Sequence, residues 1–212
     1  MEDHSPDFAD AATLDAGPDL AALIGSRICH DLNNPLGAIG NGLELMELSG
    51  HRPGPEMALI AQSVARAKAR VQFLRVAFGA AGADSRIAGA ELAGIVGDQF
   101  AGSRLTVHWP ALREVARAEA KLALLLLMCV ESAAPFGGEI TVMCDGAGWR
   151  IEAAASRLRD LDGLWAGVTG AAPVDTALGA PLVQFALAPE AARRLGRPVS
   201  LDRPEGRLIL RF

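Results

Sequence analysis

Between residues 49 and 55 the chain reads Ser-Gly-His-Arg-Pro-Gly-Pro, and no helix continues through two prolines and two glycines in seven positions. Long stretches of helical periodicity lie on either side of this break. After it, Met57, Ile60, Val64, Ala67, Val71, Leu74 and Phe78 recur at alternating spacings of three and four, the seam of a helix in a bundle. Before it, Ile24, Ile28, Leu32, Leu36, Ile39, Leu43 and Met46 gather on one side of a helix at about 100° per residue. Two long helices joined by a short break fold back on each other, so residues 18–79 are expected to form an antiparallel hairpin. A hairpin alone buries little apolar surface, which leads us to expect a homodimer in which two hairpins make a four-helix bundle.

On the first of these helices His30 falls about 180° from the mean direction of the apolar side chains, so its imidazole is expected in solvent. Ser26, Asn33, Asn34, Gly37 and Asn41 share that small, polar face, which suits the close approach of another folded surface. A neutral imidazole is a nucleophile, and the adjacent carboxylate of Asp31 can orient it or take a proton from one ring nitrogen. An exposed histidine by itself is commonplace; the letters around it carry the argument.

The run His30-Asp31-Leu32-Asn33-Asn34-Pro35 resembles the H-box of two-component histidine kinases. There a phosphoacceptor histidine is followed by an acidic residue, an apolar residue, two mostly polar ones and a proline. The longer stretch Leu20 to Leu48, with Cys29-His30-Asp31-Leu32 and Gly37 to Leu45, is similar to the ChpT-type histidine phosphotransferases of alphaproteobacteria. The resemblance implies that His30 is the phosphoacceptor, with Asp31 and Asn34 completing a catalytic set. The face around it is the expected docking surface, with Ser26, Arg27, Asn33, Gly37 and Asn41 as its contact residues.

The remainder of the chain divides simply. Residues 1–17 are expected to be a flexible tail, residues 80–88 a linker, and residues 89–212 an α/β sandwich. In that sandwich, stretches near 90–99, 116–133 and 181–195 read as helices, and Leu105–Trp109, Glu139–Met143, Trp149–Ala153, Pro198–Leu201 and Arg207–Phe212 as strands. Asp145-Gly146-Ala147-Gly148 reads as a hairpin turn. This order resembles the ATP-binding (Bergerat) fold of histidine kinases, including Gly137-Gly138 after the central helix.

The nucleotide chemistry of that fold is missing. Where the kinases carry an Asn-bearing, Mg²⁺-holding box, this chain has Leu124-Leu125-Leu126-Leu127-Met128-Cys129-Val130-Glu131. Where they carry Asp-x-Gly-x-Gly, it has Ala155-Ser156-Arg157-Leu158-Arg159, and arginine fills the space that glycine leaves for a ligand. We therefore expect no ATP and no cofactor in this chain, the Mg²⁺ of the reaction residing on the partner receiver domain. Arg157 and Arg159, and less directly Arg150, are expected to contact an acidic receiver. Arg66, Lys68, Arg70 and Arg75 on the second helix form either an ordinary solvated face or a further attraction for such a partner.

The resemblance implies partners of a defined kind: the receiver domain of a CckA-like hybrid kinase upstream, and CtrA-like and CpdR-like response regulators downstream. The alternatives are an atypical sensor kinase that still uses ATP, or a scaffold that binds receivers without carrying phosphate. A formal net charge of −5 with no concentrated basic stripe argues against nucleic acid. The absence of an apolar run of about 18 residues argues against a membrane span. Cys29, Cys129 and Cys144 are scattered, and the N-terminus has no secretory pattern, so a cytoplasmic location is expected. Cys29 reads as a small helix-face residue beside His30 rather than a redox centre. His4, His51 and His108 have no acidic or thiol partner at metal-ligand spacing, and no metal site is expected.

Overall fold

The structure is a computed structural model; it describes residues 20–50, 54–82, 84–145, 148–174 and 177–212. The expected tail at 1–17 lies outside these, as do His4 and His51. Helix α1 (Leu20–Leu48) and helix α2 (Pro55–Phe78) form the hairpin. Pro55 opens α2, where its missing N–H has no intrahelical carbonyl to meet, and Gly79 closes it by donating its N–H to the Arg75 carbonyl.

Most of the apolar stripe of α1 is left outside the hairpin, with Leu36 and Leu43 half-buried. Ile24, Ile28, Leu32, Ile39 and Met46 are exposed, with Ile24 at 59%. The buried positions are instead Ala22, Cys29 and Gly40, about a quarter turn away. The physical reason is side-chain size. A Cβ on Gly25 would lie 3.2 Å from the Phe78 Cβ, and the Lys68 side chain occupies the space where a Cβ on Gly40 would go. Small residues let the two backbones approach, and the large apolar side chains are left on the outer flank.

The second half begins earlier than the linker expectation allows. Strand β1 (Arg86–Ala88) pairs antiparallel with β3 (Glu114–Ala116), a small sheet that periodicity did not show. Helix α3 (Gly89–Phe100), β2 (Leu105–His108), α4 (Arg117–Ala133), β4 (Gly138–Asp145), β5 (Gly148–Ala154), α5 (Asp162–Val168), α6 (Gln184–Leu195), β6 (Ser200–Asp202) and β7 (Arg207–Arg211) follow. The main sheet has the order β2-β4-β5-β7-β6, with β2 and β4 parallel and the other neighbours antiparallel. Strands β4 and β5 pair antiparallel up to Asp145 and Gly148, and the expected turn residues Gly146 and Ala147 lie outside the described residues. Helix α5 was not anticipated, and the helix expected at 181–195 is divided into a 3₁₀ turn, Ala180–Leu182, and α6.

Helix α4 is the centre of the molecule. Leu122 to Cys129 are buried on every face, because α2 and α6 pack along the helix and the sheet lies against it. A helix apolar all round has no solvent side to present. Truncating one of these leucines to alanine would cost about 2–5 kcal/mol through lost burial and the cavity left behind. The turn after α4 depends on two glycines in the left-handed region. Gly137 has φ +93° and Gly138 φ +150°, and a Cβ on either would strike a backbone oxygen, Arg104 O at 2.3 Å or Ala154 O at 2.4 Å.

The hairpin is not a separate body hung on a linker. Phe73, Val76 and Ala77 of α2 belong to the same buried cluster as Leu92, Phe100 and Leu122, and Phe73 meets Phe100 edge-on at 6.1 Å. Arg70 pairs with Glu131 at 3.7 Å. The C-terminal half of the α2 seam is therefore used within the chain: Val71 is buried and Leu74 packs on the core.

Candidate active site

The His30 side chain is 70% exposed, five residues along α1 from the place where Gly25 packs on Phe78. Its neighbour Cys29 points the other way and is buried. Burial pushes the Cys29 thiol up, with the positive charge of Arg75 partly opposing it, so little of it is the reactive thiolate.

Asp31 lies between two nitrogen partners. Its Oδ2 accepts from Arg27 Nε at 2.8 Å, and its Oδ1 lies 3.4 Å from His30 Nδ1. The hydrogen bond from Arg27, and then that from His30, hold the Asp31 carboxyl below the ordinary carboxylate range. The motif proline also acts here. Pro35 lies inside α1 and has no N–H to give the carbonyl four residues back, which is that of Asp31.

The other expected residues of α1, Asn34 of the catalytic set and the docking residues, divide into two groups. Arg27, Asn34 and Asn41 are exposed on α1. Ser26, Asn33 and Gly37, expected on the open face, are half-buried at the border with α2, because the hairpin closes through the small-residue face. Ser26 Oγ lies beside Gly79, and Gly37 has open space where a Cβ would stand.

Arg157 and Arg159 form a second locus at the far end of α4. The Arg159 N–H donates to Ala133 O at 2.8 Å, docking the segment after β5 on the helix C-terminus. The Arg157 guanidinium sits 5.6 Å from the ring centre of Phe136, which is 60% exposed. Phe136 was missed by the sequence reading, since a lone aromatic before a Gly-Gly turn carries no signal. The Arg27 to Asp31 pair was legible in its i, i+4 spacing. Arg150 turns inward along the sheet to Glu152.

At the position of the kinase nucleotide box, α4 has only apolar side chains from Leu122 to Val130. At its end the buried Gln184 donates from Nε2 to Ser132 Oγ at 2.9 Å and to Pro181 O at 3.1 Å, closing α6 onto α4. His108 has an acidic neighbour that spacing along the sequence did not show. In the parallel β2–β4 pair Glu139 lies opposite Thr106, two positions before His108, and its Oε1 reaches His108 Nε2 at 2.8 Å, a partner far off in sequence. Among the described residues no three His, Cys, Asp or Glu side chains converge on a common point.

Comparison with known proteins gives this arrangement a family. Residues 89–207 match the histidine phosphotransferase C-terminal domain. The chain is 40% identical over 131 residues to the protein phosphotransferase ChpT of Brucella abortus (strain 2308), which is 61% of this chain and 62% of that protein. That alignment therefore spans less than two thirds of the Brucella protein. A solved bacterial phosphotransferase superimposes with a TM-score of 0.65 at 31% identity, over 93% of this chain and 97% of that one. The domain match leaves His30 outside it, whereas the structural match extends over nearly the whole chain. With more than half of its length matched by the C-terminal domain of these proteins, the chain belongs to the histidine phosphotransferase family.

Proposed function

We propose that this protein is the histidine phosphotransferase of a multistep phosphorelay. His30 takes a phosphoryl group from the aspartate of one receiver domain and gives it to the aspartate of another. The observation that carries this reading is an accessible imidazole in a His-Asp-x-x-x-Pro setting, with its neighbouring carboxylate already engaged, in a chain of this family. In the forward step the imidazole nitrogen attacks phosphorus in line and the donor aspartate leaves as a carboxylate. Catalysis comes from positioning and charge rather than from covalent chemistry of the protein. Mg²⁺ is held by the receiver's acidic site, and this chain contributes no cofactor. A nucleotide has no role, a reading supported by the apolar box on α4 and the closure of α6 over its end.

The partners we propose are receiver domains of a CckA-like hybrid kinase and of CtrA-like and CpdR-like regulators, in the cytoplasm. No helix among the described residues is long and apolar enough to cross a membrane. The protein works as a homodimer whose four-helix bundle covers the apolar flank of α1 and the exposed Leu59 and Ile60 of α2. The deciding experiment incubates the wild type and His30→Ala with labelled phospho-receiver domains from the same genome. The wild type gains label and the variant gains none, while its fold is unchanged because the side chain is exposed. Label on the variant overturns the assignment.

A further inference from the structure

We propose that Arg27 is a positioning residue for the phosphoacceptor: it holds one carboxylate oxygen of Asp31 and so keeps the other beside His30 Nδ1, leaving Nε2 as the free nucleophile. The proposal rests on His30 as the phosphoacceptor, and it assigns Arg27 a task inside the protein besides any contact with a receiver. Helix geometry makes the arrangement possible. Residues 27 and 31 are one turn apart on the same face, which lets the Arg27 Nε reach Asp31 Oδ2 at 2.8 Å. Asp31 Oδ1 is left 3.4 Å from His30 Nδ1, the looser contact of the two. Among the described residues Asp31, its side chain half in solvent, has no partner besides Arg27 and His30, so without Arg27 its carboxylate is free to turn away.

The chemistry follows from what each group can donate. The Arg27 hydrogen bond favours the charged form of Asp31, and an ionised carboxylate only accepts. The ring nitrogen facing it is therefore the one that carries the proton, and the lone pair lies on Nε2. In transfer the Nε2 lone pair forms the N–P bond and the P–O bond to the donor aspartate breaks. The bonding electrons leave with that aspartate as carboxylate. The Nδ1 proton stays in place, and the positive charge gained by the ring faces Asp31. No proton has to be moved before the attack.

The experiment separates positioning from docking by first omitting the receiver. In the full-length protein, ¹⁵N shifts of the neutral His30 ring report the tautomer. The wild type is expected to show a protonated Nδ1 and a bare Nε2, Arg27→Ala a shift of both nitrogens toward a mixture, and Arg27→Lys an intermediate position. With phosphoramidate as a small phosphodonor, the rate of His30 phosphorylation should fall about two- to fivefold in Arg27→Ala, the scale of an exposed ion pair. Arg27→Lys should recover part of it. Unchanged ring shifts and an unchanged phosphoramidate rate in Arg27→Ala overturn the proposal, and a defect confined to transfer from phospho-receivers overturns it in favour of a docking contact. Failure of the His30 assignment is read separately, from label on His30→Ala, and leaves the tautomer measurement intact.

Discussion

Lys121, one turn into α4, donates from Nζ to the carbonyl of Gly79 at 3.0 Å and lies 3.4 Å from that of Phe78, fastening the last turn of α2 to the second domain. These carbonyls have no partner within their own helix. The end of the histidine-bearing hairpin is thereby built into the core of the second half of the chain. Lys121→Met keeps the stem and removes the donor. It should lower stability by about 1–2 kcal/mol in chemical denaturation and raise amide exchange over residues 74–79.

The exposed apolar flank sets where the dimer should be tested. Val71 and Leu74, seam positions by spacing, are engaged in the chain's own core, so a glutamate there would unfold the chain rather than only separate two copies. Ile39→Glu and Ile60→Glu instead change outward-facing positions. Each should weaken self-association at least about tenfold in sedimentation equilibrium with little change in the denaturation of the monomer. A dimer of unaltered affinity would place the interface elsewhere.

At the far end of α4, Arg157→Glu combined with Arg159→Glu should slow transfer at limiting receiver and recover at saturating receiver, with a larger effect at low ionic strength. Rim charges act mainly on association. Because Arg157 stacks on Phe136, Phe136→Ala should reproduce part of the defect without changing charge. An identical rate for both variants at all receiver concentrations would remove this locus from the docking surface.

Glu152, on β5, is held below the ordinary glutamate range, first by its hydrogen bond from Arg150 and further by Arg207 across the β5–β7 pair. A depressed folded-state pKa adds stability that is present above the unfolded value and is lost as pH falls through the folded one. Glu152→Gln should therefore flatten the acid limb of the stability profile, below the usual glutamate range, and leave its neutral shape unchanged. Urea midpoints measured across that limb check the sign.

Much of this molecule was legible in its residues. The Gly/Pro break at 49–55 and the periodicity around it determine a helical hairpin. The helix expected at 116–133 agrees with α4 because a run that apolar can only be buried. His30 was placed in solvent by its angle from the apolar side chains, and its meaning came from the H-box letters around it. These are local properties, set by spacing along one helix.

Tertiary structure decided which face does what. Spacing identified an apolar stripe on α1 but not that Ala22, Cys29 and Gly40 would be the face against α2, since backbone approach depends on the partner helix as well. Strands β1 and β3 have three residues each, too short for any period, and exist because they pair with one another. His108 found Glu139, and Arg157 found Phe136, across gaps in sequence that only the sheet register and the turn after α4 close. Local pattern determined the elements and the phosphoacceptor; contacts between distant residues, which no single stretch encodes, determined the support around them.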